Sequence, residues 1–188
     1  MIPKELKNMW ADMHGIHPVK LFFSEKSGHE YECFSNFYIS NFKFQIPDFC
    51  PLYTEQIFEV ECSEKAIMLC KASLMGDGVS FRKILLVQTP KESKRLGREV
   101  INFNQQLWDN NVCRIARYVC ISKFSQVDGL SNILKTTAPY LIAEASPRDR
   151  IWGIGMGKMN PDAHYPTRWR GSNILGWALM QARDELCK

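Results

Sequence analysis

SEKAIMLCKASLMG, residues Ser63 to Gly76, is where the hydrophobic period of the chain changes from irregular to helical. Ala66, Ile67, Cys70 and Leu74 recur at helical spacing, Ser63 can cap the first turn, and Gly76 stops the run. Upstream, from Val19 to about Tyr53, the chain is rich in Phe and Tyr and poor in helical periodicity. Leu21–Phe23, Phe34–Tyr38 and Phe42–Ile46 are short strand candidates, broken by Gly28, Asn36 and Pro47. Downstream, helix chemistry dominates. Ser80–Val87 reads as a short helix, and Thr89-Pro90-Lys91-Glu92 has capping-box spacing with proline at the first helical position, opening a helix that Gly97 interrupts or ends. Val112, Ile115, Ala116, Val119 and Cys120 form one apolar stripe running to about Phe124. Asp128 and Ser172 read as caps of two further helices, the second carrying Leu175, Leu179, Ala182 and Leu186 on one face. The expectation is one α+β domain, mainly helical, with a small antiparallel sheet built by the N-terminal third.

The bulk properties agree with a single domain. A chain of 188 residues, 45% hydrophobic, can bury one core and is short for two. We divide it into an N-terminal extension, 1–18, and a domain, 19–188. The net charge of +4 is mild and scattered, so charge alone does not demand nucleic acid. Seven cysteines, never spaced C-x-x-C, read as reduced core residues of a cytoplasmic or nuclear protein. His14 and His17 form an isolated H-x-x-H without acidic or Cys partners at ligand spacing, so neither metal nor cofactor is expected. The opening Met-Ile-Pro-Lys-Glu has no continuous apolar run, against a signal peptide, and no window approaches a membrane span.

Two regions carry candidate chemistry. On the helix from Ser63, the residues Glu64, Met68 and Lys71 share a stripe, with Glu64 and Lys71 about 10 Å apart along the axis, a span that suits a ligand lying across it. Glu64 sits in the first turn, where the helix dipole favours its ionised form unless burial reverses the shift. The second region is APYLIAEASPRDRIWGIGMGKMNPDAHYPTRWR, Ala138 to Arg170. Glu144, Asp149 and Trp152 stand directly before Gly153, Gly155 and Gly157, a combination that suits a ring and a phosphate, the indole stacking and backbone N–H groups of Gly153 and Gly155 reaching anionic oxygens. The spacing is neither a Walker loop nor a dinucleotide fingerprint, since Met159 follows Lys158 and a third glycine is lacking. Gly171-Ser172-Asn173 beside Arg168 and Arg170 reads first as a helix cap and second as an anion site. No nucleophile elbow occurs, which leaves carboxylate chemistry ahead of a Ser or Cys triad.

Taken in order, Phe34-Ser35-Asn36-Phe37, Ser63-Glu64-Lys65-Ala66 with Lys71, Pro90 with Lys94 through Gly97-Arg98, Trp108, Lys123-Phe124, LIAEASPRDRIWGIG from Leu141 to Gly155, and Trp169-Arg170-Gly171 with Asn173-Ile174-Leu175-Gly176 and Leu179-Met180 through Arg183 closely resemble the NADAR, or YbiA-like, family. The resemblance runs from about Leu21 to Arg183. It implies a mainly helical α+β fold and an N-glycosidase acting on a ribose C1′ joined to an exocyclic amine. The implied substrate is ADP-ribosylated guanine in nucleic acid or free nucleotide. The alternatives are phosphoribosyl-amino-pyrimidine intermediates of riboflavin synthesis, or non-catalytic binding of ADP-ribose or NAD. Many members have Glu-His where this chain has Glu64-Lys65, and Gln where Met68 stands. Breaking C1′–N builds positive charge on the ribose, so Glu64 is the candidate to activate water or stabilise that charge. Asp149 is expected to bind ribose hydroxyls or complete the acid/base pair. Lys71 is expected to pair with phosphate or, second, to attack C1′ as an amine. Trp108 and Trp152 would stack, and Ser35, Asn36 and Asn173 would make polar contacts to the ligand.

Overall fold

The computed structural model describes residues 1–15, 17–22 and 30–188. Phe23 and Gly28, at the edge of the first strand candidate, lie outside the described residues. Seven helices and four short strands are present among them: α1 (Pro3–Ala11), β1 (Val19–Phe22), β2 (Phe42–Gln45), β3 (Ile57–Val60), α2 (Ser63–Leu74), α3 (Gly78–Leu86), α4 (Pro90–Arg98), α5 (Gln105–Gln126), α6 (Leu130–Lys135), β4 (Leu141–Glu144) and α7 (Ile174–Leu186).

Helix α2 is the axis around which the rest is laid. All of its residues except Lys71 are buried, because α3, α4 and α5 cover it from different sides. Burial all round makes its polar residues costly unless partnered, and each partner shapes the fold. Lys65 Nζ pairs with Glu61 at 2.8 Å and donates to the Val87 carbonyl at 3.0 Å. Ser73 Oγ donates to Leu52 O and accepts from Leu52 N. Between α2 and α4 the Met68 side chain lies against Gly97, where an added Cβ would be 2.0 Å from Met68 Sδ. Gly97 therefore sits inside α4 as a packing residue rather than a breaker.

The sheet expected from the N-terminal third is the antiparallel pair β2–β3, with Phe42 opposite Val60 and Gln45 opposite Ile57. Phe34–Tyr38 is not a strand. Glu32–Phe34 is a 3-10 turn, followed by a turn in which Ser35 Oγ accepts the Phe37 N–H at 3.0 Å. A hydroxyl that satisfies a nearby amide offers the backbone an alternative to a sheet ladder. A second ladder was not expected: β1 runs parallel to β4, with Phe22 opposite Glu144. Parallel pairing needs a long crossover, and here it is most of the helical part of the chain.

Three helix starts are displaced by one residue from their sequence reading. The N-cap of α2 is Cys62, whose thiol accepts from Lys65 N at 3.5 Å, not Ser63. The N-cap of α6 is Gly129, not Asp128, and that of α7 is Asn173, not Ser172; both cap residues have left-handed backbones. Asp77 caps α3, which starts at Gly78, two residues before the expected Ser80. By contrast Thr89 caps α4 as read, accepting from Glu92 N. Helix α1 packs on the domain, with Leu6 and Trp10 buried and the Trp10 indole donating to Ser172 O at 2.8 Å. Among the described residues no helix is long and apolar enough to cross a membrane, and no group of three His, Cys, Asp or Glu could hold a metal ion.

Candidate active site

A cavity opens at the N-terminal end of α2, bounded by α4 on one side and by the segment after β4 on the other. Its inner lobe fronts about 540 Å³ of open space and is lined by Ser35, Asn36, Phe37, Glu144 and Ser146. Its outer lobe extends past Met68, Lys71 and Trp108 to Arg98, Arg148 and Arg150. Glu64, Lys94, Asp149 and Trp152 line both lobes and mark where they meet.

Glu64 reaches this junction because the Ser35–Phe37 turn closes over the first turn of α2. The Asn36 carbonyl accepts the Glu64 N–H at 2.8 Å, satisfying an amide that a helix start leaves open. The turn is held from below by Lys123 of α5, a buried ammonium that donates to Cys33 O at 2.6 Å and Ser35 O at 3.2 Å. Burial pulls the Lys123 pKa down to about 8. At Glu64 burial likewise opposes charge and pushes the carboxyl up to about 7. Lys94 works against that rise, Asp149 adds to it, and Arg98 and Lys71 pull it back. The proviso attached to Glu64 in the sequence is met: the residue is only 5% exposed, and desolvation, the largest effect, outweighs the preference of a helix start for the ionised form.

The opposite wall is a loop that folds on itself. Asp149 Oδ1 accepts from the N–H groups of Ile151 (2.9 Å) and Trp152 (2.8 Å), so one carboxylate oxygen shapes the turn that presents the half-buried indole. The turn is anchored at the start of α7. Ser172, Asn173, Ile174 and Leu175 donate their N–H groups to the carbonyls of Arg150, Gly153, Ile151 and Trp152 respectively. These amides are spent on protein carbonyls, so Gly171-Ser172-Asn173 is not an anion site. Asn173 is fully buried away from the cavity, its Oδ1 accepting from Glu144 N (3.1 Å) and its Nδ2 donating to Ile142 O (2.9 Å). Its expected contact to ligand is replaced by a clamp across β4.

Gly153 and Gly155 also stand outside the cavity lining. A Cβ on Gly153 would approach Glu144 O to 2.7 Å, and Gly155 has a left-handed φ of 69° beside Arg150 and Arg170. Both are glycines of close packing and turn geometry, and a phosphate-reaching role for their backbone has no support from their position. Ser35, Asn36, Glu64, Lys71, Trp108, Asp149 and Trp152 do border the cavity. Lys71 Nζ donates to Gly97 O at 2.7 Å and lies over Phe103 (4.5 Å) and Trp108 (5.8 Å). Burial, then Arg98, lowers its pKa, while Glu64 raises it. Lys65 is engaged in its pair with Glu61 and lines neither lobe.

Glu144, singled out with Asp149 and Trp152 in the sequence, lines the inner lobe, whereas sequence reasoning missed Phe37 and Ser146 there and the cations Lys94, Arg98, Arg148 and Arg150 along the outer lobe. The signal for two of the cations was present: Lys94 and Arg98 are four apart on α4 and share a face.

The fold and this cavity define a class: an α+β protein with a pocket lined by carboxylates, cations and indoles. The chain belongs to the NADAR family, since the family model for the NADAR domain matches residues 22–187. It is 38% identical over 131 residues to an N-glycosidase of Acanthamoeba polyphaga mimivirus, a match covering 70% of this chain and 77% of that protein. It is 31% identical over 109 residues to a chloroplastic riboflavin biosynthesis protein, PYRR, of Zea mays, covering 56% of this chain and 16% of that protein. The fold is similar to the NMR structure of the Escherichia coli protein YbiA, with TM-score 0.67 and 22% identity, covering 93% of this chain and 88% of that one.

Proposed function

We propose that this protein is an N-glycosidase that hydrolyses the ribose C1′–N bond of ADP-ribosylated guanine. The observation that carries the reading is Glu64, a buried carboxyl with its pKa near 7, at the junction of two lobes that Asp149 and Trp152 also line. A carboxyl poised near neutrality exchanges a proton with little driving force in either direction, which suits a base for water. Glu64 takes the proton as water adds to C1′, the C1′–N bond pair passes to the amine, and the amine is protonated as it leaves. The products are ADP-ribose and the unmodified base. The negative charge of Glu64 and Asp149 also stabilises the positive charge that builds on the ribose in the transition state.

The outer lobe favours ADP-ribose over a smaller sugar phosphate. Two indoles, Trp108 and Trp152, and the cations Lys71, Arg98, Arg148 and Arg150 line it, and a substrate with one phosphate and one ring would leave much of that lining without a partner. The name of the mimivirus relative supports the reaction type, and that of the maize relative keeps riboflavin-pathway intermediates as the rival substrate. Lys71 serves as a charge for the diphosphate; its lowered pKa also suits the alternative, attack on C1′ as an amine, which borohydride trapping of a lysine adduct separates from simple pairing.

The test is incubation with an oligonucleotide carrying ADP-ribosylated guanine. Release of free ADP-ribose is expected. Protection of the adduct without release would make the protein a binding module, and turnover of a phosphoribosyl-amino-pyrimidine alone would give the rival substrate.

A further inference from the structure

We propose that the exposed face of α4, with Phe37 beside Lys94, is a docking track for a single-stranded nucleic acid leading to the mouth of the cavity. The proposal rests on the reading that the substrate is ADP-ribosylated guanine and adds that the guanine is presented within a strand. Helix α4 buries Ser93, Leu96 and Gly97 against α2 and α3. Lys91, Lys94, Arg95 and Arg98, at i, i+3, i+4 and i+7, fall on the opposite stripe. They span about 10 Å along the axis at ~1.5 Å per residue. With Phe37 they line one shallow groove.

This groove is continuous with the candidate active site. Phe37 and Lys94 line both the groove and the inner lobe, and Lys94 and Arg98 line both the groove and the outer lobe. A chain lying along it would therefore reach the junction of the two lobes, which Lys94 lines together with Glu64. The charge balance is positive. Arg95 is paired with Glu99 at 2.6 Å, and Glu92, also in the groove, is bonded to Thr89 Oγ1 at 2.7 Å. Among the described residues Lys91, Lys94 and Arg98 enter no salt bridge.

Phe37 supplies the second element that a strand needs. Its ring is 37% exposed and has the Lys94 ammonium 5.1 Å from its centroid, so a flat ring and a cation face solvent together. An aromatic face beside phosphate-binding cations is the pairing by which proteins hold unstacked bases regardless of sequence. Glu64 is buried, so a modified base must leave any stack to bring its sugar there. A strand already single satisfies that at no unpairing cost.

The test uses Lys91→Ala with Arg95→Ala, two exposed residues that border neither lobe of the cavity. Two measurements are made: binding of an unmodified, fluorescein-labelled single-stranded oligonucleotide, and release of ADP-ribose from modified guanine in an oligonucleotide and in a mononucleotide. Wild type should bind the single strand more tightly than the same sequence as duplex and turn over the oligonucleotide with the higher kcat/KM. Lys91 supplies one full phosphate contact and Arg95, shared with Glu99, up to one more, so the magnitude of the salt slope should fall by ~0.7 to ~1.4, at ~0.7 per contact in single strands. The wild-type advantage should then shrink about threefold to sevenfold between roughly 50 and 200 mM salt. Mononucleotide turnover should be unchanged. Equal kcat/KM for the two substrates in wild type, an unaltered salt slope in the variant, tighter binding to duplex, or binding to anionic phospholipid vesicles in preference to the oligonucleotide would each overturn the proposal. Absence of ADP-ribose release from both substrates, with strand binding intact, would strike the glycosidase reading and leave the track standing.

Discussion

Replacing Glu64 by glutamine should stabilise the protein at alkaline pH while abolishing turnover. The carboxyl is raised from its ordinary value of 4.5 to about 7, with burial the first cause. Below pH 4.5 the group is protonated whether the chain is folded or not, and contributes no pH dependence. Between 4.5 and about 7 the folded state binds the extra proton, so stability falls as pH rises through that window, and above it the full cost of a buried charge is present. At ~1.4 kcal/mol per pH unit the cost is about 3 kcal/mol. For a domain of this size that corresponds to roughly 6–12 °C in melting temperature. Glutamine keeps the shape without the charge and does not titrate. The assay is the difference in melting temperature, variant minus wild type, followed from about pH 5 to about pH 8. It should grow by several degrees toward the alkaline end. A difference that stays flat across the range would show that Glu64 ionises normally, and the argument for a base poised near neutrality would fall with it.

Other consequences follow from the same geometry. The pH profile of kcat/KM should have an acidic limb with an apparent pKa near 7 that tracks Glu64, and a limb near 4.5 would instead indicate an unburied carboxylate. Trp152→Ala should weaken ADP-ribose binding measured by calorimetry, since the indole lines both lobes; unchanged affinity with a lowered melting temperature would make it a packing residue. Asn173→Ala would leave Glu144 N and Ile142 O without their buried partners and should cost about 2–5 kcal/mol in chemical denaturation, a loss under about 0.5 kcal/mol counting against the clamp. Gly171→Ala would place a Cβ 2.1 Å from Gly153 O, with Arg150 backbone also within 3 Å, and should both destabilise the protein and lower ADP-ribose affinity by displacing the Trp152 loop; normal affinity would disconnect the two.

How much of this could be read from the sequence depends on whether the signal was local. The helices from Ser63 onward were legible because caps and 3.6-residue periodicity act within one turn, and even there the cap was misplaced by a residue at Cys62, Gly129 and Asn173. The β1–β4 ladder was not legible, since partners some 120 positions apart leave no local trace. The segment from Phe34 to Tyr38 reads as a strand on aromatic content and is a turn because the Ser35 hydroxyl and the Lys123 ammonium, the latter from α5, take its polar groups. At the site, the ordered motifs pointed to Glu64, Asp149 and Trp152, while the backbone role of Gly153 and Gly155 and the side-chain contact of Asn173 found no place in the cavity, owing to packing that only coordinates reveal. The sequence left the sign of the Glu64 shift open between helix position and burial, and only the packing around it decides for burial.

Because Ser35–Phe37, the start of α2, the α4 face and the loop ending at Trp152 all border one hollow, no contiguous stretch of the chain holds a working part of it. Its last wall hangs from α7, whose opening amides are what keep Arg150 to Gly153 in place. Removing the C-terminal helix would therefore disarm the protein as surely as removing the acid itself, whereas the two pieces of a chain cut between α6 and β4 have complementary halves of the hollow and every reason to find each other.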